Sequence, residues 1–501
     1  MLAAVSSATL TGVDGQPVTV EVHVSSGLPA YQVVGLPDAV VRESRERVRA
    51  AILSSGLDWP MQRITVNLAP GGLRKTGSGL ELAVALGVLA ASDQLPSGVL
   101  DGVAVLGELG LDGSVRPVAG TLALVDSLVR ARRTSVVVPM DNANEAELVG
   151  DAHVRGARHL GELRACLKGE EPWPDWDPPG PEPEGALDGD DDLADLAEVR
   201  GLTFARGALE VAAAGGHHLL MWGPPGTGKT MLARRLPTIL APLDNAEALE
   251  VTRIHSAAGQ PIRGQLLRDR PVRAPHHTAS TAALVGGGSA RPRPGEVTLA
   301  HRGLLFLDEL GEFAPSALDA LRQPLEERVV RISRQGSSLA FPASFQLVAC
   351  TNPCPCGRVP AECCCSEGAK ARYRRRLSAP LVDRFDLRIP VSAPGANDQP
   401  GECSAAVRER VVAAVARQRA RYADWPWSLN AHVPAGAVAR LVPLDVDAEH
   451  EWQQLIEERM LTGRGAARIL RVARTIADLA DEATVTAEHL GHAAGMREDL
   501  S

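Results

Sequence analysis

The chain has 501 residues, 45% hydrophobic and 23% charged, which suits about three domains; no apolar run approaches the ~18 residues that span a bilayer, so an integral membrane protein is excluded. The formal charge of −9 does not exclude a polyanionic partner, because 12 acids and no Lys or Arg lie between Glu170 and Glu198 and the remainder carries +3. Met1 to Leu10 has no basic n-region and Asp14 and Glu21 follow closely, so no secretory signal is expected and the chain is read as cytoplasmic. Six of its eight cysteines lie between Cys350 and Cys365, which fits a local thiol or metal feature in a reducing compartment.

From the N-terminus, short β-type runs (Val18 to Val24, Ile64 to Leu68, Val103 to Leu106, Ser135 to Val138) alternate with helical patterns such as Asp38 to Leu53, where Val41, Val48 and Ile52 share a face. That predicts an α/β domain over 1–168. An acidic, Pro- and Gly-rich stretch with few aliphatic residues follows, Gly169 to Asp192, and a linker is expected over 169–197. Residues 198–395 again alternate strand-like runs (Leu219 to Trp222, Leu304 to Leu307, Gln346 to Ala349) with helices, the pattern of a parallel sheet with crossover helices. From 396 to 501 the reading is helical: Ser404 to Tyr422, Ala448 to Leu461, Gly465 to Leu479 and a last segment near Ala487 to Met496.

The strongest chemical signal is Gly223-Pro224-Pro225-Gly226-Thr227-Gly228-Lys229-Thr230, between an apolar run ending at Trp222 and a helical pattern from Met231. Glycines let the backbone turn so that N–H groups and a helix N-terminus face phosphates, and residues Gly223 to Met231 are expected to cradle ATP. Lys229 would reach the β- and γ-phosphates, and the Thr230 hydroxyl would ligate Mg2+. Such a loop needs an acid at the end of a neighbouring strand. The run Gly303-Leu-Leu-Phe-Leu-Asp308-Glu309 supplies two, Asp308 to hold Mg2+ and Glu309 to polarise the attacking water. An Asp-Glu pair alone would be an ordinary strand end, but the P-loop beside it gives it a role. A further run, Phe345 to Asn352, ends in an amide that could hold the hydrolytic water and sense the nucleotide. Arg384, in the charged turn Leu381-Val-Asp-Arg-Phe-Asp386, could act in trans on a neighbour's nucleotide; a surface ion pair with Asp383 or Asp386 is the plainer reading.

Cys354, Cys356, Cys363 and Cys365 form C-x-C-x6-C-x-C, with spacing tighter than in ordinary zinc knuckles. A closed Zn2+ site, redox-sensitive thiols and unliganded structural cysteines all fit this pattern. The densest basic cluster follows directly, Lys370-Ala-Arg-Tyr-Arg-Arg-Arg376, either a solvated face or a phosphate-tracking patch in which Tyr373 stacks on a base.

With these elements in order, the second half resembles the AAA+ ATPases, in the helix-2-insert branch that includes magnesium-chelatase subunit I. The whole chain resembles the ComM/YifB family. The resemblance rests on Val33-Val-Gly-Leu-Pro-Asp38, Glu43 to Arg49, Ile64 to Pro70, Arg273-Ala-Pro-His-His-Thr278, Pro292 to Glu296, Asn352-Pro-Cys-Pro-Cys-Gly357 and Arg471 to Leu479. It implies a Lon-protease-like N-terminal domain, a P-loop AAA+ core with an insert between the Walker segments, a helical C-terminal lid and an ATP-driven homo-oligomeric ring, usually a hexamer. It likens Arg464 in Thr462-Gly-Arg-Gly465 to the lid arginine that reaches the γ-phosphate in cis, with Arg468 and Arg471 as less favoured substitutes. The insert offers His276, His277, Arg291 and Arg293, and the resemblance implies that such a loop would line the central channel, although the histidines could equally hold a turn by hydrogen bonds.

ComM-type members are associated with ATP-dependent branch migration of DNA during recombination of incoming strands. That makes DNA the expected partner, with a chelatase- or chaperone-type remodeller of a protein partner as the alternative. A regulatory module with little turnover is disfavoured by the intact Lys229, Asp308, Glu309, Asn352 and Arg384. Where Lon proteases carry their serine and lysine, this chain aligns Gly79 and Leu124, with Ser78 one residue away. Proteolysis is therefore not expected, and Lys75 is left at most a phosphate or surface contact. The N-terminal domain is expected to assemble the ring or contact a partner.

Overall fold

The computed structural model describes residues 1–75, 77, 79–176, 195–288, 292–334, 337–358, 362–393, 395 and 399–498. Most of the expected linker, together with Ser78 and Arg291, lies outside them. Two compact units result: one comprises Met1–Leu187 and Asn245–Leu267, the other Asp188–Asp244 and Arg268–Ser501. The sequence placed 245–267 in the ATPase core, and in the structure this stretch clusters with the N-terminal residues.

In the first unit the strands are β1 (Leu2–Thr11), β2 (Asp14–Ser25), β3 (Ala30–Val34), β4 (Arg63–Ala69), β5 (Val103–Val105), β6 (Glu108–Leu109), β7 (Val115–Arg116), β8 (Ser135–Pro139) and β9 (His153–Ala157). Seven of them form a mixed sheet in the order β3-β4-β2-β1-β5-β8-β9, and β6 and β7 make a separate ribbon. Period-two patterning sets the pleat: Val18, Val20, Val22 and Val24 of β2 are buried while Thr19 and His23 are exposed. Each buried valine contributes about 1.5–3 kcal/mol relative to exposure. The helix Ala39–Ser54 is started by Asp38, whose carboxylate accepts the Val41 N–H at 2.9 Å. The helix Glu81–Ala91 is apolar on nearly every side because it is almost wholly buried. Gly87 lets it approach the sheet, since an added Cβ would lie 2.5 Å from a Val22 methyl.

The helix Asn245–Ala257 joins this unit through its side chains. The Ser256 hydroxyl donates to the buried carboxylate of Glu145, which also accepts the Leu122 N–H at 2.8 Å. Arg253 lies 3.6 Å from both Asp14 and Asp126. Burial raises the Glu145 carboxyl above the ordinary range.

In the second unit, β10 (Leu219–Trp222), β11 (Val272–Arg273), β12 (Leu304–Leu307), β15 (Gln346–Thr351) and β16 (Leu387–Pro390) form an all-parallel sheet in the order β11-β12-β15-β10-β16, and β13 (Val329–Arg334) pairs with β14 (Ser337–Pro342) as a hairpin. Every residue of the central strand β15 is buried, which explains its apolar run from Leu347 to Cys350. The lid helices Ser404–Arg421, Val446–Glu458, Gly463–Leu479 and Ala487–Gly495 pack on the same core, where Leu470, Val472 and Ala473 join Leu219, Met221 and Val348. No described helix is long and apolar enough to cross a membrane.

Candidate nucleotide-binding site

Parallel strands present all their carboxyl ends at one edge of a sheet, and ligands of such sheets bind there. Here β15 lies between β12 and β10, pairing Phe306 with Val348 on one side and Trp222 with Thr351 on the other. The residues that follow these strands therefore meet: Asp308 and Glu309 after β12, Asn352 after β15, and the Gly223 to Gly228 loop after β10.

The loop's shape comes from its glycines. A Cβ on Gly223 would lie 2.2 Å from the Val391 carbonyl oxygen, while Gly226 and Gly228 adopt φ of +77° and +91°. Gly228 then caps the helix Lys229–Ile239. The Lys229 ammonium donates to the carbonyls of Gly223 at 2.8 Å and Pro224 at 2.7 Å, and the Asn352 amide oxygen is 3.4 Å away. Partial burial lowers its pKa from the ordinary lysine value.

The Thr230 hydroxyl donates to one oxygen of Asp308 at 2.8 Å, and the other oxygen accepts the Glu309 N–H at 2.9 Å. A hydroxyl and a carboxylate side by side are the paired hard oxygens that Mg2+ takes beside phosphate, so the donor set fits that ion. Glu309 stands at φ +50°, a left-handed conformation unusual for a non-glycine residue, with its side chain 57% exposed.

Two arrangements here were not foreseen from the sequence. His277 Nδ1 lies 3.4 Å from a Glu309 carboxylate oxygen; the His277 ring is tilted by 35° against that of His276, with centroids 4.0 Å apart, and set edge-on to Phe313. His276 meanwhile ties down its own turn through the Thr278 hydroxyl at 2.9 Å. The only sequence signal was the His-His pair, and nothing local connects it to Glu309. The second arrangement is the set of partners around Arg384. Arg384 bonds Glu326 at 2.5 Å and the Pro380 carbonyl, and pairs with neither Asp383 nor Asp386. Arg464, 69% exposed, is 3.8 Å from the same Glu326, so the two arginines share one carboxylate. Arg468 instead pairs with Asp383 at 3.2 Å and Asp386 at 3.5 Å.

Two expectations are corrected. Tyr373 cannot stack on a base: its side chain is buried, the ring lies where a Gly311 Cβ would come within 2.4 Å, and its hydroxyl is 3.4 Å from that of Thr351. Lys75 is neither a surface nor a phosphate contact. It is fully buried, and its ammonium is occupied by the carbonyls of Gly35 and Pro70.

The cysteine segment follows Asn352 directly. The Cys354 sulfur lies 3.3 Å from that of Cys356 and 3.6 Å from that of Cys363, and all four sulfurs, with that of Cys365, fall within 4.8 Å of one another. Such a group can hold a metal ion. Loss of hydration raises the Cys354 thiol, whereas the Arg358 backbone N–H lowers that of Cys356 to about 6.

Comparisons with known proteins cover nearly the whole chain. Residues 195–399 match the family described as magnesium chelatase, subunit ChlI; residues 20–142 match subunit ChlI of Mg-chelatase; and residues 401–497 match the ChlI C-terminal region. An uncharacterized protein of Mycobacterium tuberculosis is 44% identical over 98% of both chains. YifB of Escherichia coli and the competence protein ComM of Haemophilus influenzae are each 41% identical over 99% of this chain and 97% of theirs. Lon protease 2 of Bacillus subtilis is 28% identical over 30% of this chain. The α/β architecture, the parallel sheet carrying the P-loop, the helical C-terminal region and this end-to-end similarity together establish that the chain belongs to the ComM/YifB family of magnesium-chelatase-like AAA+ proteins.

Proposed function

We propose that this protein is an ATP-hydrolysing ring motor, a hexamer in the cytoplasm, that moves branched or single-stranded DNA during recombination of incoming strands. The observation that carries the catalytic part is the meeting of Lys229, Thr230, Asp308, Glu309 and Asn352 at one edge of the sheet. On this reading the loop N–H groups and Lys229 bind the β- and γ-phosphates, Thr230 and Asp308 hold Mg2+, and Asn352 orients the water. Glu309 takes a proton from that water as its oxygen attacks the γ-phosphorus and the bond to the β-phosphate oxygen breaks. Mg2+ bound there supplies charge neutralisation on the phosphates. Zn2+ is the ion proposed for the four-cysteine cluster.

His277 acts as a positioning residue for Glu309. His277→Ala should lower kcat about tenfold with KM for ATP unchanged. A raised KM at unchanged kcat would place His277 in nucleotide binding instead.

The DNA assignment is supported by the ComM resemblance and by Arg372 and Arg375, which are exposed on the helix Glu367–Arg376. ATP turnover measured without nucleic acid, with single-stranded DNA and with a four-way junction, at two salt concentrations, tests it. Stimulation by the junction that fades with salt is expected. Turnover indifferent to every nucleic acid would contradict the DNA assignment and favour remodelling of a protein partner.

A further inference from the structure

The four-cysteine cluster has no part in the chemistry just described, yet it is wired to the residues that do. Zinc tetrahedrally bound by thiolates at about 2.3 Å sets sulfur pairs about 3.8 Å apart. The sulfurs here stand at 3.3, 3.6 and 3.8 Å for the three pairs among Cys354, Cys356 and Cys363. Those spacings are far beyond the ~2.05 Å of a disulfide, and all eight cysteines are free. Among the described residues these four thiolates form the whole group, and four thiolates make a closed site, the form zinc takes when it supports structure rather than reaction.

The connections run in two directions. Cys354 is two residues past Asn352, the amide beside Lys229. Within the cluster, Gly357 adopts φ +70° and presses on the P-loop: a Cβ there would lie 3.0 Å from Pro225 Cδ and 3.1 Å from its Cγ. On the other side, Cys365 is followed by the helix Glu367–Arg376. That helix seats Tyr373 against Gly311 and Thr351. It also places Arg376 on the Gly311 carbonyl at 3.0 Å and the Glu312 carboxylate at 3.1 Å. Gly311 and Glu312 belong to the turn directly after Glu309. One small cluster thus touches the P-loop, continues the strand that ends at Asn352, and anchors a helix that braces the turn carrying Glu309.

We infer that Cys354, Cys356, Cys363 and Cys365 bind one Zn2+, and that this closed site is a positioning element of the nucleotide pocket, holding Pro225 and Asn352 in register with the arginine-bearing helix. The inference rests on the nucleotide-binding reading of the site but not on turnover. The full-length protein, purified with reductant and without chelator, should contain about one zinc per chain. The double variant Cys363→Ser/Cys365→Ser should contain almost none. Affinity for a fluorescent ATP analogue, which needs no hydrolysis, should weaken about tenfold in that variant and in wild-type protein stripped by a strong chelator, and zinc returned to the stripped wild type in Mg2+ buffer should restore it. Circular dichroism of the stripped protein guards against global unfolding, and re-addition of zinc separates the metal's effect from any misfolding of the variant.

Wild-type protein holding no more zinc than the double variant would overturn the site. Bound zinc whose removal leaves nucleotide affinity unchanged would overturn its positioning role. Protein that binds zinc and nucleotide as expected but never turns over would sink the ATPase reading and leave this one standing.

Discussion

Glu309→Gln is expected to keep ATP bound while lowering kcat by about 10²- to 10⁴-fold, the range ascribed to a positioned general base. The amide has nearly the carboxylate's shape and preserves the N–H of residue 309 that bonds Asp308. What it lacks is basicity. The left-handed backbone at Glu309 aims the side chain into the open, within reach of His277, and the substitution leaves that backbone untouched. Single-turnover hydrolysis with nucleotide affinity measured in parallel checks this. Near-normal turnover in Glu309→Gln would refute the assignment of Glu309, and lost affinity would move Glu309 into binding.

Arg384→Ala should lower turnover by about 10³-fold or more, the effect of removing an arginine that stabilises the transferring phosphoryl group. Within one chain Arg384 is held by Glu326 and the Pro380 carbonyl, and Glu326 also faces Arg464. A polyphosphate carries more charge than one carboxylate, so a neighbour's nucleotide can take Arg384 from Glu326. If the arginine acts across a subunit boundary, mixing Arg384→Ala chains with Lys229→Ala chains restores some hydrolysis. An Arg384→Ala subunit keeps a complete P-loop, and its Lys229→Ala neighbour supplies the arginine. Lys229→Ala alone should lose nucleotide binding, since this ammonium is the charge at the centre of the loop. No rescue in verified mixed rings would show that Arg384 acts in cis.

How much of this could be read from the chain depends on how local each signal is. The loop Gly223 to Thr230 is contiguous, and its glycines are demanded by local geometry, so its form was readable directly. Asp308, Glu309 and Asn352 each end an apolar run, and parallel pairing brings such ends together once the sheet forms. The lid helices were visible because each carries a helical apolar period over many residues. The strand Leu2–Thr11 was not, because Ala and Ser have little β-propensity and its pairing with Asp14–Ser25 is what makes it a strand. Three features depend on contacts distant in sequence and left no local trace: the packing of Asn245–Ala257 with the N-terminal residues, the approach of His277 to Glu309, and Glu326 between Arg384 and Arg464. Tyr373 and Lys75 were misread for a related reason. Polar-tipped residues in charged or loop segments look exposed until the fold supplies partners for their tips.

The most direct measurement is the resolution of a movable four-way DNA junction with one heterologous arm, in ATP and Mg2+, by wild-type protein and by Glu309→Gln. Wild type should convert the junction to duplex products at a rate that follows ATP turnover, and Glu309→Gln should bind the junction without converting it. Wild-type protein that hydrolyses ATP yet leaves the junction intact, or conversion that proceeds equally in Glu309→Gln, would contradict a DNA motor driven from this site.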